Sequence, residues 1–447
     1  MHRWWLAGGA RLAVYVAAMT TSACRPAVDG TSSAPPAGGL EVTLTAVAPP
    51  TAAGAMAPQM RVAPDGSVLM SWIEPAADGR KALRWSRLVA DEGSATPVRW
   101  TQASTIVTAT DFFANWADVP SILQLTDGRM AAHWLRKSAS STYAYHVALS
   151  LSHDRGATWA TPVTPHGDRS DTEHGFVSMF ERADGQLGLV WLDGRQMAAP
   201  AAGETHGAET HSGGAGMDHG GAGAMTLRAT TIGRDGVPAP DVALDERVCE
   251  CCPTTAAVTA RGVAVAYRGR GASEIRDIGV ARFDGTAWSR PALVHADNWR
   301  IEACPVNGPS LSARGDQVAL AWFTAEGERP RVSVAFSRDG ATTFGRPIAI
   351  SDAAAVGRVD AELLADGSVL VAWLEHDPSV SSLRVKRAWP DGRVTASQVV
   401  TPLSSGRGSG YPRMAILDGR WLVFAWTEPS TPAGPSSIRT ATAALPR

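Results

Sequence analysis

The stretch PDGSVLMSW at residues 64–72 begins with a turn dipeptide, continues with apolar residues and ends at a tryptophan. The pattern recurs as TDGRMAAHW (126–134), ADGQLGLVW (183–191) and ADGSVLVAW (365–373), and in looser form as RGDQVALAW (314–322), LDGRWLVFAW (417–426) and RGVAVAY (261–267). Glycine takes the positive φ of a tight turn, and apolar residues with a period of two bury one face of a strand. Each copy therefore predicts the turn and the second strand of a β-hairpin.

Seven such hairpins begin near residues 58, 116, 172, 252, 304, 358 and 411, mostly 45 to 60 residues apart. That spacing accommodates a four-stranded sheet, and repeated antiparallel sheets remove their edges by closing radially. We therefore expect an all-β fold, a β-propeller of seven blades, with six blades as the alternative. The last repeat is one strand short, and residues 40–47 can supply that strand and close the ring.

The charge balance limits the classes of partner. The 447 residues carry 41 Lys+Arg and 43 Asp+Glu, a formal net charge of −2. Without basic blocks, this composition argues against nucleic acid as a partner. Beyond the N-terminus no apolar run reaches 18 residues, which excludes a polytopic membrane protein.

The first 24 residues resemble a bacterial lipoprotein signal, because an apolar stretch is followed by small residues and Cys24. Cys24 would then be lipidated and become the mature N-terminus. Residues 25–39 form a Pro/Gly/Ser-rich tether. The alternative is an ordinary secretory signal cut nearby. Both interpretations place the mature protein outside the cytoplasm, and the first anchors it to a membrane only through its lipid.

Two further motifs lie between predicted strands. Residues 152–159 read SHDRGATW and fit S-x-D-x-G-x-T-W, while residues 337–344 read SRDGATTF and fit it less closely. These motifs resemble the Asp-box, or BNR, repeats of the sialidase superfamily, with the blade pattern covering about residues 40–447. The resemblance gives Asp154 and Asp339 a structural role on the propeller rim, away from the active site.

The same resemblance implies an active site at the hub. Three arginines would clamp a sugar carboxylate, a Tyr–Glu pair would act as nucleophile and an Asp as acid/base. The candidates by chemistry are Arg268, Arg276, Asp277, Arg358, Tyr411 and Arg413. An enzyme of this kind would be an exo-α-sialidase-like glycoside hydrolase, and a noncatalytic one would bind an acidic glycan or another small ligand in the central channel. Alternatively, these arginines pair with acids on blade surfaces.

Four cysteines follow a second pattern. Cys249, Cys251 and Cys252 precede one innermost strand and Cys304 precedes the next, so both segments should meet near one mouth of the channel. A disulfide from Cys304 to Cys251 or Cys252 is one interpretation. A thiolate site for Cu(I) or Zn(II) is the second, and a redox-active pair is the third.

An insertion at about residues 196–225 favours the metal interpretation. It carries His206, His211 and His219 together with Met197, Met217 and Met225, among glycine and alanine spacers. Imidazole and thioether groups on a flexible segment can wrap a soft or borderline ion. The stretch GMDHG at 216–220 is similar to the Met/His repeats of periplasmic copper-resistance proteins. The alternative is a solvated low-complexity loop.

Glu173 and His174 begin an innermost strand and are candidate binding residues at the channel. His133, which precedes Trp134, is interpreted as a packed blade residue. Three functions follow from the sequence: recognition or hydrolysis of an acidic glycan, binding or handling of copper or zinc, and a noncatalytic scaffold for an envelope partner. Fold alone does not choose among them.

Overall fold

The structure is a computed structural model that describes residues 42–91, 97–197, 223–432 and 434–445. These residues form twenty-eight β-strands in seven antiparallel sheets. The predicted β-propeller of seven blades is confirmed. Among the described residues, no helix is long and apolar enough to cross a membrane.

The first three blades contain β2 to β13. The first blade contains β2 (Met56–Val62), β3 (Val68–Pro75), β4 (Lys81–Ala90), β5 (Val98–Trp100) and β6 (Ser104–Ala109). The second blade contains β7 (Ser121–Gln124), β8 (Met130–Lys137) and β9 (Tyr145–Ser152). The third blade contains β10 (His174–Glu181), β11 (Leu187–Asp193), β12 (Thr226–Ile232) and β13 (Val242–Asp245). The first strand of each sheet is the innermost, and its neighbours follow outward in chain order.

The next three blades repeat this order. The fourth blade contains β14 (Thr255–Thr259), β15 (Gly262–Arg268), β16 (Ile278–Phe283) and β17 (Ala292–Leu293). The fifth blade contains β18 (Ser310–Arg314), β19 (Gln317–Thr324), β20 (Arg331–Ser337) and β21 (Ile348–Ala349). The sixth blade contains β22 (Ala355–Leu363), β23 (Val369–Glu375), β24 (Ser382–Ala388) and β25 (Gln398–Pro402). Short 3-10 helices occupy Ala77–Gly79, Arg195–Met197, Glu326–Glu328 and Arg407–Ser409.

The seventh blade closes the ring. It contains β26 (Arg413–Leu417), β27 (Trp421–Glu428) and β28 (Ser437–Ala444), and its outer strand is β1 (Thr45–Ala46) from the other end of the chain. Thr45 pairs with Thr442 and Ala46 with Ala441. The sequence expectation of a closing strand within residues 40–47 is therefore met, although the paired part is only two residues long.

The repeated aromatic residues form the packing layer between blades. Trp72, Trp134, Trp191, Trp322 and Trp373 are among the largest fully buried side chains, with Tyr267 at the equivalent place. Burying a large aromatic side chain stabilises a core by a few kcal/mol. This layer fixes the blades and hence the position of the innermost strands around the channel.

The two ends of the channel differ. Because neighbouring strands are antiparallel, each innermost strand starts on the face where the second strand ends, as the pairing of His174 with Asp193 illustrates. We call this face, reached by residues 249–253 and 304–309, the mouth face. The opposite end, which carries the Asp-Gly turns at residues 65, 127, 184 and 366, is the turn face.

Three innermost strands bend near the mouth face. Ala57, Phe176 and Arg358 have positive φ values of 59°, 52° and 52°. At each of them the pairing with the second strand shifts register. A bulge of this kind bends a strand and re-aims its side chains, at a conformational cost that the surrounding packing must offset. The mouth face is thus built from irregular backbone held by tertiary contacts.

Candidate functional site

Three cysteines from one segment converge on the mouth face. Cys249, Cys251 and Cys252 are 0%, 7% and 1% exposed. Their sulfur atoms all lie within 4.8 Å of one another. Cys304, from the segment that precedes the next blade, packs against them. We call these four residues the thiol cluster. The sequence expectation that the two segments meet is met.

The sulfur atoms of the thiol cluster are not bonded to one another. The expected disulfide from Cys304 to Cys251 or Cys252 is absent from the described residues, because none of the four cysteines takes part in a disulfide there. Cys249 Sγ lies 3.8 Å from Cys251 Sγ and 2.7 Å from Cys252 Sγ. Two thiolates on one tetrahedral Zn²⁺ lie about 3.8 Å apart, given metal–sulfur bonds of about 2.3 Å. The first separation fits such an ion directly, and the second requires Cys252 to move outward.

One thiol of the cluster, that of Cys249, has a lowered pKa. Burial opposes the charge, but hydrogen bonds from Cys251 and Cys252 and the positive charge of Arg276 outweigh it, so the pKa of Cys249 lies well below its ordinary value. Burial raises the pKa of Cys251 and of Cys252. A thiolate that accepts hydrogen bonds from two thiols is the arrangement expected before a metal replaces their protons.

A network of buried ion pairs fixes Arg276 next to Cys249. Arg276 Nη1 donates to Glu250 Oε2 at 2.8 Å, and its Nη2 donates to Glu274 Oε2 at 3.0 Å. Arg270 pairs with both carboxylates as well. Arg276 Nε has no hydrogen-bond partner among the described residues. The predicted catalytic candidate Arg276 is thus a structural neighbour of the thiols.

A cavity of about 400 Å³ opens beside the thiol cluster. Its wall includes Cys251 together with Phe113, Trp116, Tyr143, Glu173 and Arg407. The cavity gives a ligand or a metal-carrying molecule access to one thiol of the cluster. Aromatic rings and a carboxylate complete its surface.

Glu173 and His174 lie on the mouth face, but neither is among the residues that line the central channel, where the sequence analysis expected them. The Tyr145 hydroxyl donates to Glu173, and burial raises the pKa of Tyr145 well above its ordinary value. Asp118 Oδ1 accepts the Phe176 N–H at 2.8 Å, and burial also raises the pKa of this carboxyl. Glu173 lines the cavity, whereas His174 is fully buried.

Most of the remaining predicted hub residues form hydrogen bonds with backbone groups. Arg268 donates from Nε, Nη1 and Nη2 to three carbonyl oxygens, those of residues 307, 276 and 323. Arg358 donates to the carbonyl groups of residues 405, 406 and 410. Asp277 accepts the N–H groups of residues 298 and 299, and the Tyr411 hydroxyl donates to the carbonyl of residue 306. These contacts hold loops of the mouth face together.

Like Tyr411, the predicted hub residue Arg413 lines the central channel, a cavity of about 430 Å³. Its Nε has no hydrogen-bond partner among the described residues. Arg61, Asp360 and Glu362 line the same channel and were not among the sequence candidates. Burial and the neighbouring Asp360 raise the pKa of Glu362 to about 8, although Arg61 opposes the shift. Alternation along the innermost strand, with Asp360 and Glu362 two residues apart, is the signal that could have identified the acidic pair.

The predicted lipidation site Cys24 and the predicted metal ligands His206, His211, Met217 and His219 lie outside the described residues. The strands that flank the insertion are described, and β11 ends and β12 begins on the mouth face. Met197 and Met225 pack against a hydrophobic cluster of the third and fourth blades. His146 and His166, which lie close to His174, were missed by the sequence analysis. No spacing motif links them, because a loop separates β9 from β10.

No protein-family model matches this chain, and no curated protein sequence matches it. The fold does match solved structures. The polysaccharide lyase Uly1 is 12% identical, with a TM-score of 0.50 over 87% of this chain and 90% of the lyase. A protein of unknown function from Dyadobacter fermentans is 15% identical, with a TM-score of 0.48 over 90% of this chain and 98% of its own. A NanB sialidase from Streptococcus pneumoniae is 12% identical, with a TM-score of 0.46 over 85% of this chain and 83% of the sialidase chain.

At these identities the likeness is one of fold. The chain has a β-propeller fold similar to that of a polysaccharide lyase. A common fold hosts many activities, so the function must be argued from the side chains of this chain.

Proposed function

We propose that this protein binds a soft metal ion, Cu(I) or Zn(II), at the thiol cluster. The observation that carries the proposal is the convergence of three buried sulfur atoms within 4.8 Å, with Cys304 packed against them from the next blade. Thiolates are the ligands that Cu(I) and Zn(II) prefer.

The charges around the cluster support metal binding. A metal ion needs deprotonated sulfur ligands, and the lowered pKa of Cys249 makes this thiol the easiest of the three to deprotonate. Arg276 stabilises that thiolate, and its own charge is balanced by Glu250 and Glu274. A negatively charged metal–thiolate complex would retain Arg276 as its counter-ion.

The cavity beside Cys251 and the insertion provide routes for the ion. Cys251 lines the cavity, so an ion can reach the cluster from solvent. The insertion leaves β11 and returns to β12 on the same face, and its His and Met residues are suited to collecting copper. We further propose that the protein is exported and held to a membrane through a lipid on Cys24, which places the site outside the cytoplasm.

The test uses the chain from Arg25 onward, expressed in the periplasm and reduced. We expect one Cu(I) or Zn(II) per chain by competition with a chromophoric chelator, and none after Cys249, Cys251, Cys252 and Cys304 are all replaced by Ser. A matched variant in which His206, His211 and His219 become Ala should keep the tight ion. Absence of metal from the reduced chain would contradict the proposal, and an unreduced sample with no free thiols in denaturant would identify the cysteines as disulfide staples.

A second candidate function is binding of an acidic sugar or another carboxylate in the central channel. It rests on Arg61 and Arg413, which both line the channel, where burial and then the charge of Arg413 lower the pKa of Arg61 although Asp360 and Glu362 oppose the shift. Arg413 Nε also remains without a partner among the described residues. A carboxylate would relieve this repulsion by bridging the two cations.

This candidate is tested with uronic-acid oligosaccharides and a neutral oligosaccharide in a calorimeter. We expect the acidic ligand to bind and the Arg413→Met variant to weaken binding at least tenfold, while Arg393→Met, on an exposed arginine, has no effect. Equal binding of acidic and neutral ligands would reject a carboxylate site. Hydrolysis of a sialoside would instead support the exo-glycosidase interpretation.

A further inference from the structure

A pair of histidines forms a second cluster of possible metal ligands on the mouth face. His146 is the second residue of the third strand of the second blade, and His174 begins the innermost strand of the third blade. Their Nδ1 atoms lie 3.4 Å apart. Two nitrogen ligands of one tetrahedral Zn²⁺ lie about 3.4 Å apart, given metal–nitrogen bonds of about 2.0–2.1 Å.

The ring of His174 is held in one orientation. Its Nε2 lies 2.8 Å from Asp168 Oδ2, so the Nε2–H donates to the carboxylate. The ring also stacks on His166, with centroids 4.1 Å apart and planes 4° apart. A carboxylate that orients a histidine and fixes its tautomer is the usual support for a metal-ligating imidazole.

This tautomer leaves a lone pair on His174 Nδ1, and its neighbours are acceptors. The carbonyl oxygens of Thr172 and Tyr145 lie 3.1 Å and 3.2 Å from Nδ1, and the remaining neighbour is His146 Nδ1. Lone pairs that face one another in a buried site repel unless a cation lies between them. The cation is either a proton on His174 or a metal ion shared with His146.

His166 has a supporting role. The Val147 N–H donates to His166 Nε2 at 3.3 Å, and His166 Nδ1 lies 2.9 Å from the Asp168 carbonyl oxygen, to which it donates. Both ring nitrogens are therefore engaged by the backbone. This ring fixes the plane of His174 and leaves His146, which is partly exposed, as the entry side of the site.

We propose that His146 Nδ1 and His174 Nδ1 bind a borderline divalent cation, Zn²⁺ or Cu²⁺, with backbone carbonyl oxygen as a further ligand. Imidazole nitrogen and oxygen suit such ions, whereas the thiol cluster suits Cu(I). The site uses none of the four cysteines, so it stands independently of the function proposed above.

The experiment isolates this site from the other possible ligands. The chain from Arg25 onward carries the four Cys→Ser changes and His206→Ala, His211→Ala and His219→Ala, and Cu²⁺ is added at pH 7.5. If the Cys→Ser chain does not fold, the unmodified thiols are first saturated with Ag⁺, which gives no electron paramagnetic resonance signal. We expect one tightly bound Cu²⁺ whose spectrum shows coupling to two imidazole nitrogens.

Four variants separate the outcomes. His146→Ala should abolish the signal of the tight ion, and His146→Gln repeats the test with a side chain of similar size. Asp168→Asn should weaken binding about 10–100-fold, as expected for a group that orients a ligand. His295→Ala, an exposed control, should change nothing. Binding that survives His146→Ala, or nitrogen NMR that shows both nitrogens of His174 protonated at pH 7.5 in the presence of Zn²⁺, would overturn the proposal.

Discussion

The mouth face and the turn face of the propeller are built from the same strands but by different kinds of interaction. On the turn face, Asp65, Asp127, Asp184 and Asp366 each accept the N–H two residues further on, at 3.0–3.1 Å. On the mouth face, the Tyr411 hydroxyl reaches a carbonyl 105 residues away, and Arg268 reaches carbonyls up to 55 residues away. Local contacts shape the aspartate turns themselves, although Arg234 also pairs with Asp127 across the turn face, whereas the mouth face depends mainly on long-range contacts.

This difference separates stability from chemistry. A turn whose aspartate satisfies its own backbone can be repeated in blade after blade, because the hydrogen bond that shapes the turn lies within it. A face held by long-range contacts can bring together groups that are far apart in sequence. The thiol cluster, the histidine pair and the cavity all lie on that face. The predictions below test whether long-range contacts there are worth more than local ones on the turn face.

The largest effect is expected for Arg268→Met. The side chain is 1% exposed, and its removal leaves three backbone carbonyl oxygens without their donor. Buried acceptors without partners should lower the free energy of unfolding by about 3 kcal/mol. Urea unfolding followed by tryptophan fluorescence measures the change.

The control for Arg268→Met is Arg393→Met, on an exposed arginine that pairs with Asp391. An exposed pair contributes little, so this change should stay within about 0.5 kcal/mol. Equal losses in the two variants would remove the distinction between a buried long-range anchor and a local one. They would also reopen a role for Arg268 in holding a ligand.

A smaller effect is expected for Glu362→Gln in the channel that joins the two faces. Its pKa of about 8 lies above the ordinary 4.5, so folding disfavours the ionised form. The native state therefore binds more protons between those values, and stability falls as pH rises from about 4.5 to 8. Glu362→Gln removes this loss, so the variant should match the wild type at pH 5 and be more stable at pH 9.

The expected gain at pH 9 is about 2 kcal/mol, below the full value of the shift because channel water screens the charge. Unfolding curves at pH 5, 7 and 9 measure it. Glu302→Gln, on an exposed carboxylate, serves as the control and should show no pH-dependent difference from the wild type. A Glu362→Gln variant that tracks the wild type at every pH would mean that this carboxyl is ionised in the native channel.

The two faces also explain what could be predicted from sequence. The propeller could be predicted because each repeat lies within about ten residues, such as Asp65 to Trp72. The closing strand could be predicted because the last repeat lacks one strand. Cys251 and Cys304 could be placed on one face because each precedes an innermost strand. The pairing of His146 with His174 could not be predicted, since it depends on how two blades pack. The hydrogen-bond partners of Arg268 and Arg358 likewise depend on which loops approach these side chains, and a single sequence does not contain that information.

The smallest effect is expected on the turn face, for Asp154→Asn. Hydrogen bonds from Thr158 and Ser152 hold the pKa of Asp154 at about 2, below the ordinary 3.8. The native carboxylate is thus favoured, and its contribution to stability is complete above pH 4 and is lost as pH falls towards 2. Asn keeps one acceptor and loses the charge. We therefore expect a slight loss of stability at pH 7 and none at pH 2, measured as the difference between thermal midpoints.

Thr158→Val keeps the charge of Asp154 and removes one hydrogen-bond donor to it, so part of the pH dependence should remain. If Asp154→Asn instead lowered metal binding at the thiol cluster, the two faces would be coupled, and the division between a structural face and a chemical face would be wrong.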